Sequence, residues 1–225
     1  MGIDHRQLLQ LLPDLQYSRG IHLLEDCEGT FIWTPAGTGG DDVHAFATKA
    51  AFFGTNGMDL QTRTTTATDG DLLSVKRYIG ASISGLMIAR GMVCFPDVST
   101  VQAFRVMLRL TDQTDIWEAK FAVAPNTPQA GYYNAAGVFT AVSTWAVAIA
   151  DGYWVQWELI VDTLEMNYIS AMWSGVEKSI AGIHLPDQGN SSSREAAIEL
   201  EVEAAGAAAA EVYCDAIYVG EYDVA

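Results

Sequence analysis

Glu199, Glu201 and Glu203 are spaced two apart in the run from Ala196 to Glu203. In an extended chain that spacing puts the three carboxylates on one face, while Ile198, Leu200 and Val202 point the other way. Two carboxyl groups on one face, one a nucleophile and one an acid/base, are what retaining hydrolysis of a glycosidic bond requires. The competing reading is a solvated acidic face, since the chain carries 28 acidic against 12 basic residues. A second set joins Glu25, Asp26 and Glu28, early in the chain, to Asp215 near its end. Together they could supply oxygen ligands for a structural Ca²⁺, or simply accept hydrogen bonds from turn amides.

Trp33, Tyr132, Tyr133, Trp145 and Trp173 fall near expected loops or strand ends, where exposed rings could stack on sugars. Trp117 and Trp157 lie on apolar faces and belong in the core. The four histidines, His5, His22, His44 and His184, are scattered, with no pair at ligand spacing. No Gly-x-Ser-x-Gly motif, phosphate loop or dinucleotide fingerprint is present. Cys27, Cys94 and Cys214 are odd in number and lack C-x-x-C spacing, which argues for reduced, buried thiols. Cys27 and Cys214 fall in the first and last expected strands, so the two can be neighbours.

The elements that must hold these residues are strands. In Asp151 to Leu185, Val155, Trp157, Leu159 and Val161 alternate with Gln156, Glu158, Ile160 and Asp162. Asp162 to Glu165 and Ser174-Gly175 turn the chain, giving three neighbouring antiparallel strands. Earlier, Ile21 to Cys27 and Thr30 to Thr34 are expected as strands, followed by a turn-rich stretch from Pro35 to Asp42. Ala51 to Phe53 leads through Gly54 to Gly57 into a strand from Met58, and Leu72 to Ile79 and Leu86 to Phe95 are further strands. Val101 to Leu110 and Asp115 to Val123 form a hairpin through Thr111 to Thr114. Tyr132 to Phe139 is expected as a turn and Thr144 to Ile149 as a short strand or loop. The alanine-rich run from Ala204 to Ala210 has only seven residues and no cap. A loop between Ala196 to Glu203 and a last strand, Glu211 to Glu221, suits it better than a helix.

A formal charge of −16 repels a phosphate backbone and argues against nucleic-acid binding. No stretch of 18 apolar residues exists, and the N-terminus lacks the order of a signal peptide, so no membrane span and folding in a cytosol are expected. Residues 1–20 form an N-terminal arm ahead of one domain over 21–225. In the arm Ile3, Leu8, Leu9, Leu11 and Leu12 precede Pro13, a pattern for a helical turn or two that packs on its own domain or docks on a neighbouring subunit.

Four stretches carry a family resemblance: Leu23 to Pro35, Tyr132 to Val142, Trp154 to Gly175 and Glu211 to Glu221. Together they resemble the concanavalin A-like lectin/glucanase jelly rolls, in which a Trp begins a strand, an Asp follows at its end, and an aromatic strand and turn come next. The resemblance implies an all-β, antiparallel β-sandwich. Retaining glucanases of that superfamily carry Glu-x-Asp-x-Glu, where this chain has Glu201 at the middle position. Related jelly rolls hold a structural Ca²⁺ where the terminal strands meet, the region of Glu25, Asp26, Glu28 and Asp215. The chain looks most like single-domain phage and bacterial jelly rolls that open on an acidic turn followed by Trp; in phage particles such domains decorate capsids or serve in tails. The first expectation is therefore a non-catalytic virion protein, a capsid decoration or auxiliary subunit that docks through its arm on capsid or other virion subunits and self-associates as a homo-oligomer. A carbohydrate-binding module is the second, and a retaining glycoside hydrolase the third.

Overall fold

A computed structural model describes residues 21–65, 68–80, 85–112, 114–142, 149–190 and 194–222. In chain order the strands are β1 (Ile21–Glu25), β2 (Thr34–Gly37), β3 (Val43–Ala47), β4 (Gly57–Gln61), β5 (Leu72–Gly80), β6 (Leu86–Cys94), β7 (Val101–Asp112) and β8 (Asp115–Ala124). They continue with β9 (Gln129–Tyr133), β10 (Phe139–Ala141), β11 (Trp154–Asp162), β12 (Asn167–Trp173), β13 (Val176–Ser179), β14 (Asp187–Asn190), β15 (Arg194–Ala204) and β16 (Glu211–Glu221). One sheet runs β13-β12-β11-β6-β16-β4-β3, with β1 also beside β16; the other runs β10-β9-β8-β7-β15-β5-β2, with β14 beside β8. Neighbours pair antiparallel, as β15 does with both β5 and β7.

The period-two pattern produces this directly. Val155, Trp157, Leu159 and Val161 of β11 are buried against Phe104, Val106, Leu108 and Leu110 of β7 and Ile198, Leu200 and Val202 of β15, in one continuous core between the sheets. Each buried apolar side chain contributes about 1.5–3 kcal/mol, so the alternation also sets the register, because a one-residue slip would turn every one of them outward. A smaller cluster of Ile88, Ile160 and Tyr218, with Leu24 and Ile169 against it, lies on the opposite face of the first sheet. The fold is all-β, an antiparallel sandwich as expected. Among the described residues no helix is long and apolar enough to cross a membrane.

The 101–124 hairpin, the three strands of 154–179 and the alanine-rich loop before β16 all stand where the pattern put them. Several local readings are corrected. Pro35, Ala36 and Gly37 belong to β2, an exposed edge strand paired with Val75, Ser74 and Leu73, where a proline costs no ladder bond on its open side. The strand expected to begin at Thr30 starts only at Thr34, leaving Thr30 to Trp33 outside any strand, and β1 stops at Glu25, because Cys27 sits at φ +59 and turns the chain. Ala51 to Phe53 is loop, whereas Val43–Ala47 and Asp187–Asn190 are strands that their mixed composition did not announce. Tyr132 and Tyr133 end β9, and the turn proper is Asn134 to Val138, closed by the Asn134 side chain accepting from the Ala136 and Val138 amides. Residues 1–20, with Ile3, Leu8, Leu9, Leu11 and Leu12, lie outside the described residues, as do Trp145 and most of Thr144 to Ile149.

Candidate functional site

Alternation on β7 and β15 turns Arg105, Arg109, Glu201 and Glu203 to the outer face of the second sheet, opposite the core. Cross-strand register makes Arg105 the neighbour of both Glu201 on β15 and Ala122 on β8. Its guanidinium donates to Glu201 Oε1 at 2.6 Å, to Glu203, and through Nε to the Tyr133 hydroxyl at 2.9 Å. Burial works against the Arg105 charge, but Glu201 and Glu203 outweigh it and hold its pKa above the usual value. Four residues further along β7, Arg109 Nε donates to Glu118 Oε1 on β8 at 2.9 Å, while Lys120 Nζ stands 3.7 Å from Glu118 Oε2 and 5.0 Å above the centre of the Tyr133 ring. Phe139 on β10 meets Tyr133 edge-on, with centroids 5.8 Å apart.

Tyr133 is the wall shared by two clefts. The first, about 380 Å³, is lined by Gln102, Arg105, Asn126, Gln129 and Phe139; the second, about 360 Å³, by Glu118, Lys120, Pro186, Asp187 and Gln188. The half-buried tyrosine therefore stands between a cleft whose wall mixes Arg105 with Ala103, Ala122 and Val123 and a more polar one that holds the Glu118–Lys120 pair. Its backbone is held from inside the core. The β8–β9 ladder ends at the pair Phe121 and Tyr132, and beyond it the hydroxyl of buried Tyr168, on β12 of the other sheet, accepts from the Lys120 amide and donates to the Tyr133 carbonyl, both at 2.9 Å. Burial pushes the Tyr168 hydroxyl pKa up, so it stays a donor. The sequence singled out Tyr133 but not Arg105, Lys120 or Tyr168, because their roles depend on cross-strand and cross-sheet neighbours far away in the chain.

The other expected site residues divide differently. Trp33 and Trp173, expected near the surface, are 3% and 2% exposed. Trp33 is buried because its indole N–H donates to Glu25 Oε2 at 3.1 Å, and Trp173 because it packs with Phe95 and Phe121 between the sheets. Tyr132 turns toward the core, 5.6 Å from the Tyr168 ring, and does not join Tyr133. Glu201 and Glu203 are both engaged by Arg105, while Glu199 pairs in register with Lys76 and Met107.

The four early and late acids all accept from N–H groups. Glu25 Oε1 receives the Cys27 amide at 3.0 Å and Asp26 Oδ1 the Glu28 amide at 3.2 Å. Glu28 Oε1 receives the Asn56 and Thr55 amides, which hold its carboxyl below the usual range. Asp215 Oδ2 receives the amides of Phe52 and Phe53, each at 2.8 Å. Among the described residues no group of three or more His, Cys, Asp or Glu side chains is arranged to hold a metal ion. The thiols are free and buried, with Cys27 Sγ 4.0 Å from the Cys214 carbonyl, and burial raises all three, Cys94 to about 11.

No family model and no curated protein matches the chain. Solved structures do. Cellulose induced protein Cip1 superposes with a TM-score of 0.60 at 10% identity, over 90% of this chain and 98% of that one. The likeness is one of fold, an antiparallel β-sandwich of two sheets. Alginate lyase vAL-1 from Chlorella virus superposes with a TM-score of 0.54 at 9% identity, over 90% and 100% of the two chains. A structure described for the promiscuous specificity of carbohydrate-binding modules of the β-sandwich superfamily gives 0.50 at 12% identity, over 91% of this chain and 62% of that one. At such identities the likeness concerns the fold, and function has to be argued from the residues.

Proposed function

We propose that the protein binds a neutral glycan in the paired clefts around Tyr133. The observation that carries this reading is the constellation itself. A half-buried aromatic ring stands between two clefts, its hydroxyl bonded to an Arg105 that Glu201 and Glu203 hold, with Lys120 over its face and paired with Glu118 at 3.7 Å. Rings offer a sugar its apolar contact, and preorganised ionic groups offer bidentate partners for its hydroxyls at little ordering cost. The charges select among glycans. Arg105, Arg109 and Lys120 are matched by Glu118, Glu201 and Glu203 through ion pairs, and the chain as a whole stands at −16, so an acidic polysaccharide gains nothing on approach. The names of the solved structures, a cellulose-induced protein, an alginate lyase and carbohydrate-binding modules, agree with a carbohydrate ligand.

Binding is favoured over glycoside hydrolysis because the two carboxylates best placed for chemistry, Glu201 and Glu203, share one guanidinium. The virion-decoration reading rests on residues 1–20 and on resemblance, and the described residues add nothing to it. Affinity electrophoresis against a panel of neutral and acidic polysaccharides, with release of reducing ends followed in parallel, tests the proposal. Retardation by at least one neutral polysaccharide is expected, weakened about tenfold or more by Tyr133→Ala, as loss of a central aromatic contact implies. No retardation by any neutral member overturns it, and reducing-end release would replace it with catalysis.

A further inference from the structure

A second aromatic surface lies on the other sheet. Phe52 and Tyr153 are 36% and 70% exposed, and half-buried Trp154 opens β11 beside them. The Phe52 ring is 5.2 Å from the Trp154 ring and 4.1 Å from Phe53. An accidental loop would leave such rings mobile, yet this one is tied down at both ends by carboxylates from distant parts of the chain. Asp215 Oδ2 receives the Phe52 and Phe53 amides, and Glu28 Oε1 receives those of Thr55 and Asn56. Asp215 is 1% exposed, so its carboxyl is buried to hold two backbone amides of a surface loop. The strand carrying it also breaks register between Asp215 and Tyr218 and places Ala216 at φ +52, a conformation unfavourable for any residue with a Cβ. The buried carboxylate and the positive-φ residue beside it thus stand next to the loop that carries the exposed Phe52 ring.

Polar groups stand further along the same sheet. By register Trp154, Cys94, Tyr213 and Asp59 form one row across β11, β6, β16 and β4. At the far end of that row Lys49 Nζ contacts Asp59 at 2.9 Å and Glu211, and lies 5.5 Å over the Tyr213 ring, while the Tyr213 hydroxyl donates to Glu211 at 3.2 Å. An apolar platform on the same sheet row as a paired cation and anions three strands away suits a glycan, whose C–H faces stack on rings and whose hydroxyls seek polar partners.

We infer that Phe52 and Trp154, with exposed Tyr153 next to Trp154 in the chain, form a second stacking site for a neutral sugar ring, on the first sheet and separate from the Tyr133 clefts. It goes beyond the single-site reading: two sites on opposite sheets allow one molecule to bridge two glycan chains, raising avidity with no new contact type. The platform is a few rings wide, far smaller than the roughly 800 Å² per partner of a stable protein interface.

The test uses the full chain with cellohexaose and xylohexaose, read by acrylamide quenching of tryptophan fluorescence, with Trp154→Phe to assign the signal. In a Tyr133→Ala background, saturating sugar is expected to shield Trp154, and Phe52→Ala to weaken that response about fivefold or more. Tyr153→Ala, at the most exposed position, gives the same readout without burdening the fold. Unchanged circular dichroism in each variant separates a lost contact from a lost fold. If Trp154 is unshielded by both sugars, or if both variants respond like the parent, the inference is overturned whether or not the Tyr133 clefts bind. Concentration-dependent self-association abolished by Phe52→Ala, with no sugar response, would overturn it too and assign the patch to a second copy.

Discussion

The hydroxyl of Tyr168, on one sheet, bonds to the backbone of Tyr133, on the other, at 2.9 Å. The same oxygen accepts from the Lys120 amide, so one core side chain completes the ladder where β8 and β9 part and sets the positions of the two residues whose ring and ammonium face each other across the cleft. Tyr168→Phe keeps the ring but leaves a buried N–H and a buried carbonyl without that partner. Leaving a buried group unsatisfied costs about 1–3 kcal/mol. Denaturant unfolding is expected to register a loss in that range, and glycan affinity to fall with it. Unchanged stability would show that the hydroxyl plays no part in holding β8 and β9.

Arg105 separates two carboxylates that register places on the same strand face two residues apart. Arg105→Gln removes the only charge the described residues show donating to both Glu201 and Glu203, leaving two like charges in a half-buried setting. A loss of about 2–4 kcal/mol is expected, as for breaking one side of a largely buried ion pair. Arg105→Lys should recover only part of it, because an ammonium lacks the planar fork that serves Glu201, Glu203 and Tyr133 together. Thermal unfolding of the two variants side by side measures the difference, and equal losses would contradict the geometry.

Asp215 gives the stability a pH signature. Burial raises its carboxyl from 3.8 to about 6, against the pull of the Phe53, Phe52 and Ala216 amides. Between those values the native state holds a proton that the unfolded chain has released, so stability from this group is fully present below about 3.8 and is lost as pH rises through about 6. At 1.36 kcal/mol per unit the loss is about 3 kcal/mol. Asp215→Asn cannot titrate. The stability of the parent minus that of the variant is therefore expected to fall between about pH 4 and pH 6.5 by that order, read from urea midpoints. A difference constant with pH would refute the shift.

Period-two alternation was enough to place the core. Ile198, Leu200 and Val202 turn inward and Glu199, Glu201 and Glu203 outward, as the spacing alone dictates, since a pleated chain sends successive side chains to opposite faces. The same rule identified Trp157 as buried; only the fold shows that it is accommodated by Gly91, its partner across β6 and β11, where a Cβ would stand 2.7 Å from the indole. Edge strands such as β2 and β14 escaped notice because exposure on both faces removes the hydrophobic signal.

The chemistry divides along the same line. Residue types and spacing determined that acids share a face and that thiols are buried, and they put Tyr133 in a turn where the fold ends a strand with it. Tertiary structure alone decided that Glu201 and Glu203 hold an arginine, that Trp33 and Trp173 are interior, and that Asp215 anchors Phe52, 163 residues away in the chain. Partners across strands and sheets are set by register and topology, which depend on the whole core at once and leave no mark in any local stretch of sequence.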